Sequence, residues 1–175
     1  MRRLMLMRHA KSDWSLGGQP DVERTLAPRG REIAPLVGRY IAQHALRPDQ
    51  AMVSTARRAR ETWDLLAPKL GKTPPVVFDK RLYETPAKNI LAALQEARPD
   101  VHTLLVIGHN PGMQELASLL MATGDIAARQ NLLEKFPTAG LAVIDFAIDR
   151  WSDLKAHAGR LDRFVTPRAL ALSSD

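Results

Sequence analysis

The sequence predicts an α/β fold, one domain around a mostly parallel central sheet, and three observations carry that expectation. Short apolar runs alternate along the chain with longer stretches of helical periodicity, the pattern of strands joined by crossover helices. The 175 residues suit a single domain, and 45% hydrophobic residues suffice to bury a core. No cysteine is present to staple that core, act as a thiol nucleophile or build a thiolate metal site, which fits a reducing compartment.

The elements follow in order. Leu4-Met5-Leu6-Met7 is an apolar run that stops at Arg8 and His9, so a first strand is expected over 3–7. A polar loop with Gly17, Gly18 and Pro20 leads to a helix opening at Pro28, with Ile33, Leu36, Val37, Tyr40 and Ile41 at helical spacing. A short second strand is expected over 51–53, then a helix over 58–70 with Trp63, Leu66 and Leu70 inward. A third strand at 76–78 precedes a helix over 86–97 that carries Ile90, Leu91 and Leu94. Residues 103–107, wholly apolar after Thr103, form the clearest strand. Asn110 suits the cap of a helix whose first position is Pro111 and which runs to about 121. A helix at 126–134, a strand at 141–146 and an extended piece at 154–158 complete the series. There is no internal repeat or interdomain linker, so the domain is expected over 1–165, with a loosely held tail over 166–175.

The net charge of +6 is unevenly placed. Residues 1–60 hold 12 Lys and Arg against 5 Asp and Glu, whereas the remainder holds 13 against 14. The excess therefore surrounds Arg8 and the cluster Arg57, Arg58 and Arg60, as a local anion site requires. With 5% aromatics and no basic stripe interleaved with them, nucleic acid is an unfavoured partner. Four apolar residues between Arg3 and Arg8 are too few for a signal peptide, and no stretch reaches membrane-spanning length. A cytoplasmic protein with no membrane partner is expected.

Three strand-to-helix junctions carry phosphate-competent residues: Arg8-His9, the segment Ser54 to Thr62, and Gly108-His109-Asn110-Pro111-Gly112. In a parallel sheet all three lie at the carboxyl edge, where ligands bind and helix N-termini present donors to anions. Arginine recognises phosphate oxygens bidentately, and a neutral imidazole can attack phosphorus or pass protons near pH 7. Taken singly, the arginines suit a solvated helix face and the His109 turn a simple helix cap. Their coincidence at one edge points to phosphoryl chemistry.

These residues resemble the histidine phosphatase superfamily, which includes the phosphoglycerate mutases, and within it the small SixA-like phosphohistidine phosphatases. Arg8-His9-Ala10, extended by Lys11-Ser12-Asp13-Trp14, resembles the nucleophile motif in its SixA-like form. Ser54 to Thr62 matches S-x-x-x-R-A-x-x-T, which places the second phosphate-binding arginine on Arg58 and not on Arg57. Gly108 to Gly112 matches the second-histidine motif, and Asp79-Lys80-Arg81-Leu82-Tyr83-Glu84 lies where many members carry a proton donor. Asp21, Arg24, Leu26 and Gly30 fall in family order, and Pro137-Thr138 precedes a strand as it often does there. The similarity spans about residues 1–147. It departs from the common pattern at Thr55, Ala56 and Glu61, and at Ala27, where a hydroxyl residue often caps the first long helix.

The resemblance implies a single-domain three-layer α/β/α fold of the phosphoglycerate mutase-like type. It implies a hydrolase in which His9 forms a phosphohistidine intermediate, with Arg8, Arg58 and His109 binding phosphate and Glu84 as the acid. Neither metal nor cofactor is then required. The attacking nitrogen of His9 must be unprotonated, which Arg8 and Arg58 favour, and an acceptor for its other ring nitrogen is expected in the Gly17-Gly18 loop. The favoured substrate is a phosphohistidine on a protein. A small phosphate monoester is the alternative within the fold, and a non-catalytic phosphate or nucleic-acid binding module the alternative outside it. Trp14 is expected to be structural, His44, His102 and His157 to be surface or structural, and Asp145, Asp149 and Asp153 to be solvated.

Overall fold

The structure is a computed structural model that describes residues 1–173. Seven strands form one sheet: β1 (Arg2–Arg8), β2 (Gln50–Ser54), β3 (Val76–Asp79), β4 (Thr103–Gly108), β5 (Met121–Gly124), β6 (Leu141–Phe146) and β7 (Gly159–Val165). Their order is β3-β2-β4-β1-β6-β7-β5. The pairs β3/β2, β2/β4, β4/β1 and β7/β5 are parallel, while β6 runs antiparallel to both β1 and β7. Among the described residues five helices connect them, α1 (Pro28–Gln43), α2 (Arg57–Leu66), α3 (Ala87–Leu94), α4 (Gly112–Leu120) and α5 (Ile126–Glu134), and α6 (Pro167–Ser173) follows the last strand.

The central strands are apolar throughout because both sheet faces are covered. Strand side chains alternate between faces, and so do the two cores. Leu4, Leu6, Leu104 and Val106 pack with Ile90 and Leu94 of α3, Met113 and Leu116 of α4 and Leu132 of α5. Met5, Met7, Leu105 and Ile107 pack on the other side with Ile33, Val37 and Ile41 of α1 and Trp63 and Leu66 of α2. The result is the expected three-layer α/β/α sandwich. None of its helices is long and apolar enough to cross a membrane.

Several boundaries move. The helix expected over 58–70 is α-helical only to Leu66 and tightens to a 3-10 turn at Ala67–Leu70, where Pro68 lacks the N–H that an α-helix needs. The helix expected over 86–97 ends at Leu94. The expected extended piece at 154–158 is instead a turn, and the strand follows at β7; β5 had no expectation at all. Both are masked by composition: β7 reads Gly-Arg-Leu-Asp-Arg-Phe-Val, and β5 is four residues continuing directly from α4. The charges of this region pair with one another. Asp145, expected to be solvated, has a side chain only 11% exposed and takes two hydrogen bonds from the Arg3 guanidinium at 2.7 and 2.9 Å. Of the tail expected over 166–175 to be loosely held, Pro167–Ser173 forms α6 and Leu170 is buried in the core on the α1 side, while residues 174–175 lie outside the described residues.

Candidate active site

The sheet register aligns the three junctions. Arg8 of β1 stands opposite Gly108 of β4, and Val53 of β2 opposite Ile107, so His9, Ser54 and His109 emerge side by side. Two glycines allow the loops to close on this edge. A Cβ on Gly30 of α1 would overlap the Lys11 carbonyl behind the His9 loop, and one on Gly112 would press on Ile90 and on the Thr85 carbonyl. The Ala139 N–H, at 3.0 Å from both the Arg8 and His9 carbonyls, ties the same loop from the opposite side.

His9 is 95% buried, and its tautomer is fixed. Its Nδ1 lies 2.7 Å from the Ala10 carbonyl, which can only accept, so Nδ1 carries the proton. The acceptor is therefore the next residue's backbone and not the Gly17-Gly18 loop: a strand end that turns sharply brings its own carbonyl under the ring. Nε2 then keeps its lone pair and receives Arg58 Nε–H at 3.3 Å. Burial above all, then His109, Arg58 and Arg8, holds the imidazolium form of His9 well below its ordinary range.

Arg58 is 5% exposed and gives its other donors to Asp21, Nη1 to the carbonyl at 2.8 Å and Nη2 to Oδ2 at 3.0 Å. Asp21 also accepts from Arg24 at 2.8 Å and from the Tyr83 hydroxyl at 2.5 Å. The Tyr83 hydrogen bond, Arg24 and Arg58 hold its carboxyl below the usual range, while burial and Asp21 push the Tyr83 phenol up to about 12. Arg8 sends Nη1 to the Phe136 carbonyl at 3.1 Å, and its Nε is buried without a partner. The ring of His109 lies 5.0 Å from that of His9 and 5.3 Å from that of Tyr83. Burial first, then Arg58, pulls His109 down to about 3, so it is neutral at pH 7.

The motif Ser54 to Thr62 acts as a brace. Ser54 touches His109, Arg58 touches His9, and Thr62 accepts the Ala10 N–H at 3.0 Å while donating to the Arg58 carbonyl. Glu61 accepts from Thr25 and from Leu26 N–H, anchoring the loop before α1, whose N-cap Ala27 offers no side-chain hydrogen bond. Asn110 precedes the cap position taken by Pro111, yet its Oδ1 still accepts Gln114 N–H at 3.2 Å.

A cleft of about 560 Å³ opens on Arg58 and His109, with Asp21, Glu84 and Glu115 also in its lining, and His9 adjoins it through its contacts with Arg58 and His109. Glu84 reaches this wall from a left-handed backbone position, φ 45°, whereas Asp79 turns away to pair with Arg81. Trp14 is not structural: it is 77% exposed, with Arg24 stacked 3.5 Å from its ring. Among the described residues no three His, Cys, Asp or Glu side chains gather as a metal site. Sequence reasoning gave no role to Asp21, Tyr83 or Ser54; the signal for Ser54 was its place at the head of the motif, while Asp21 and Tyr83 meet only through the fold.

The family model for the histidine phosphatase superfamily (branch 1) matches residues 4–90. An uncharacterized protein of Mycobacterium tuberculosis is 37% identical over 164 residues, 93% of this chain and 100% of that protein. Among solved structures, a SixA from Nakamurella multipartitia superposes with a TM-score of 0.82 at 28% identity, covering 95% of this chain and 96% of its own. The protein histidine phosphatase SixA complexed with tungstate shares the fold, with a TM-score of 0.76 at 19% identity over 96% of this chain and 99% of its own. The chain thus belongs to the histidine phosphatase superfamily, as a SixA-like phosphatase.

Proposed function

We propose that this phosphatase works through His9 as a covalent nucleophile, with a phosphohistidine on a protein as its favoured substrate. The observation that carries the proposal is the fixed tautomer: Nδ1–H bound to the Ala10 carbonyl and a lone pair on Nε2, which accepts from Arg58 Nε–H and attacks once that arginine turns to the phosphoryl oxygens. Nε2 attacks phosphorus, the N–P bond of the substrate breaks, and the departing imidazole nitrogen takes a proton. Water then attacks the phosphorus on His9, releasing phosphate and restoring Nε2. Arg8, Arg58 and His109 neutralise the phosphoryl oxygens through both steps without a metal. The tungstate of the fold-sharing SixA supports an oxyanion in this pocket.

Substrate class follows from the cleft wall and the leaving group. Only a 3-10 turn and four residues separate β3 from α3, and only β5 separates α4 from α5, so no long insertion covers the cleft. A phosphorylated side chain on a cytoplasmic partner protein fits such a cleft better than a small ester, which needs enclosure. An imidazole also leaves more readily than an alkoxide, which lessens the demand on an acid. Glu84 on the wall favours the second reading, a small phosphate monoester.

The test is a panel of phosphohistidine protein and aryl phosphate, with and without chelator, for wild type, His9→Ala and Glu84→Gln. His9→Ala is expected to abolish chelator-resistant turnover of both. Glu84→Gln is expected to slow the ester by about a hundredfold and phosphohistidine by less than about tenfold. Equal loss on the two substrates refutes the phosphohistidine preference.

A further inference from the structure

We infer that Ser54 is a positioning residue whose hydroxyl selects the ring tautomer of His109, and so makes Nδ1–H the donor that this histidine offers a phosphoryl oxygen. The inference rests on the reading of the pocket as a phosphoryl-transfer site. It goes beyond that reading by assigning the first residue of the Ser54–Thr62 motif a task distinct from packing.

The geometry leaves one consistent arrangement of protons. Ser54 is fully buried at the end of β2, so its hydroxyl has no recourse to solvent. Its Oγ accepts the Ala56 N–H at 3.2 Å and lies 2.7 Å from Nε2 of His109. No hydrogen bond joins the hydroxyl to any other acceptor. A buried hydroxyl proton left without an acceptor is costly, so the proton goes to Nε2, which must then be the unprotonated nitrogen. Nδ1 therefore carries the ring proton, and Nδ1 is a buried atom with no partner in the protein.

The tautomer matters because this histidine is neutral. An imidazolium would present N–H on both sides and could bind an oxyanion in any orientation. Held low by burial and by Arg58, His109 has one N–H to offer. In the opposite tautomer Nδ1 would face a phosphoryl oxygen with a lone pair and repel it. Ser54 thus stands to His109 as the Ala10 carbonyl stands to His9, each fixing which ring nitrogen bears the proton. One ring is left with a lone pair for attack, its neighbour with a proton for binding.

The experiment reads the ring nitrogens by long-range ¹H–¹⁵N correlation NMR on ¹⁵N-histidine-labelled protein at pH 7, without phosphate. Wild type is expected to show His109 protonated on Nδ1 and bare on Nε2. Ser54→Ala is expected to move His109 to a mixture or to Nε2–H while His9 keeps its Nδ1–H signature. The same variant should lower kcat/KM for phenyl phosphate by about ten- to a hundredfold and weaken competitive inhibition by inorganic phosphate. Wild-type His109 protonated on Nε2 overturns the inference, and does so even if the variant fails to fold. An unchanged His109 tautomer in a folded Ser54→Ala overturns it as well. Failure of wild type to hydrolyse any phosphorylated substrate would instead sink the proposed function while leaving the tautomer measurement intact.

Discussion

The two halves of the sheet are built on different physics. The parallel half, β3-β2-β4-β1, is mostly apolar, with β2, β4 and β1 buried between helices and β3 half-open at the edge, and it delivers Arg8, His9, Ser54, Arg58 and His109 at one edge. The antiparallel half, β6-β7-β5, attaches through the antiparallel pairs β1/β6 and β6/β7, with β5 parallel at its edge. It is charged along β7 and carries ion pairs such as Arg3–Asp145, which joins it to β1, and Asp162–Arg163. The loop that leads into this half contributes to the site by backbone: the Phe136 carbonyl takes Arg8 and Asn110, and Ala139 N–H holds the His9 loop. The proposed site thus lies where hydrophobic burial makes the frame rigid, and the charged half supports it without entering the cleft.

That division predicts separable effects. The largest belongs to the parallel half: Arg58→Ala, which removes a buried donor beside His9, should lower kcat/KM for an aryl phosphate by about a hundred- to a thousandfold, measured by phosphate release. A loss confined to stability, with kcat/KM intact, would erase the distinction between the halves.

Acid should expose the same half next. His9 and His109 both have folded pKa values below the unfolded value of 6.5. Below that value the unfolded chain binds protons that the folded protein refuses, so stability falls as pH drops from about 6.5 toward the folded pKa. Each histidine contributes a slope of up to about 1.4 kcal/mol per pH unit in that window. Urea midpoints at pH 7, 6 and 5 should fall in that order, and His109→Gln should flatten the slope. A flat profile would mean that the two rings are not held neutral by burial.

The smallest effect belongs to the antiparallel half. Asp145→Ala leaves Arg3 half-exposed without its bidentate partner and should cost about 1 kcal/mol of stability, read from denaturant midpoints. Its kcat should stay within about twofold of wild type, since no atom of the pair reaches the cleft. A larger fall in kcat would show that strain in β6 and β7 reaches the loop at Phe136.

The same contrast governs what could be read in advance. Strands of the parallel half are legible because their residues are apolar without interruption, and β6 for the same reason. Strands β5 and β7 were not, because a short strand and a charged one give no period-2 signal. Asp145 is an exposed carboxylate by composition and a paired one by register, and only strand pairing tells the two apart. Pro68 should have ended the second helix at sight, and the apolar Leu170 outweighed the exposed position of the tail.

By itself the sequence determined the layers and the residue types at the carboxyl edge of the parallel strands, since burial pattern and motif spacing are properties of the chain. That Arg8, His9, Arg58 and His109 meet at that edge was legible in this sense; their roles, and that of Glu84, are the ones proposed above. What only the tertiary structure decided is the state of those groups. Which nitrogen of His9 bears a proton depends on where the Ala10 carbonyl turns, and that of His109 depends on Ser54, 55 residues distant. The partner of Arg58 is Asp21, 37 residues away and brought to it by the loop before α1. Hydrogen bonds act over about 3 Å, so their partners are fixed by folding and cannot be read from a linear order.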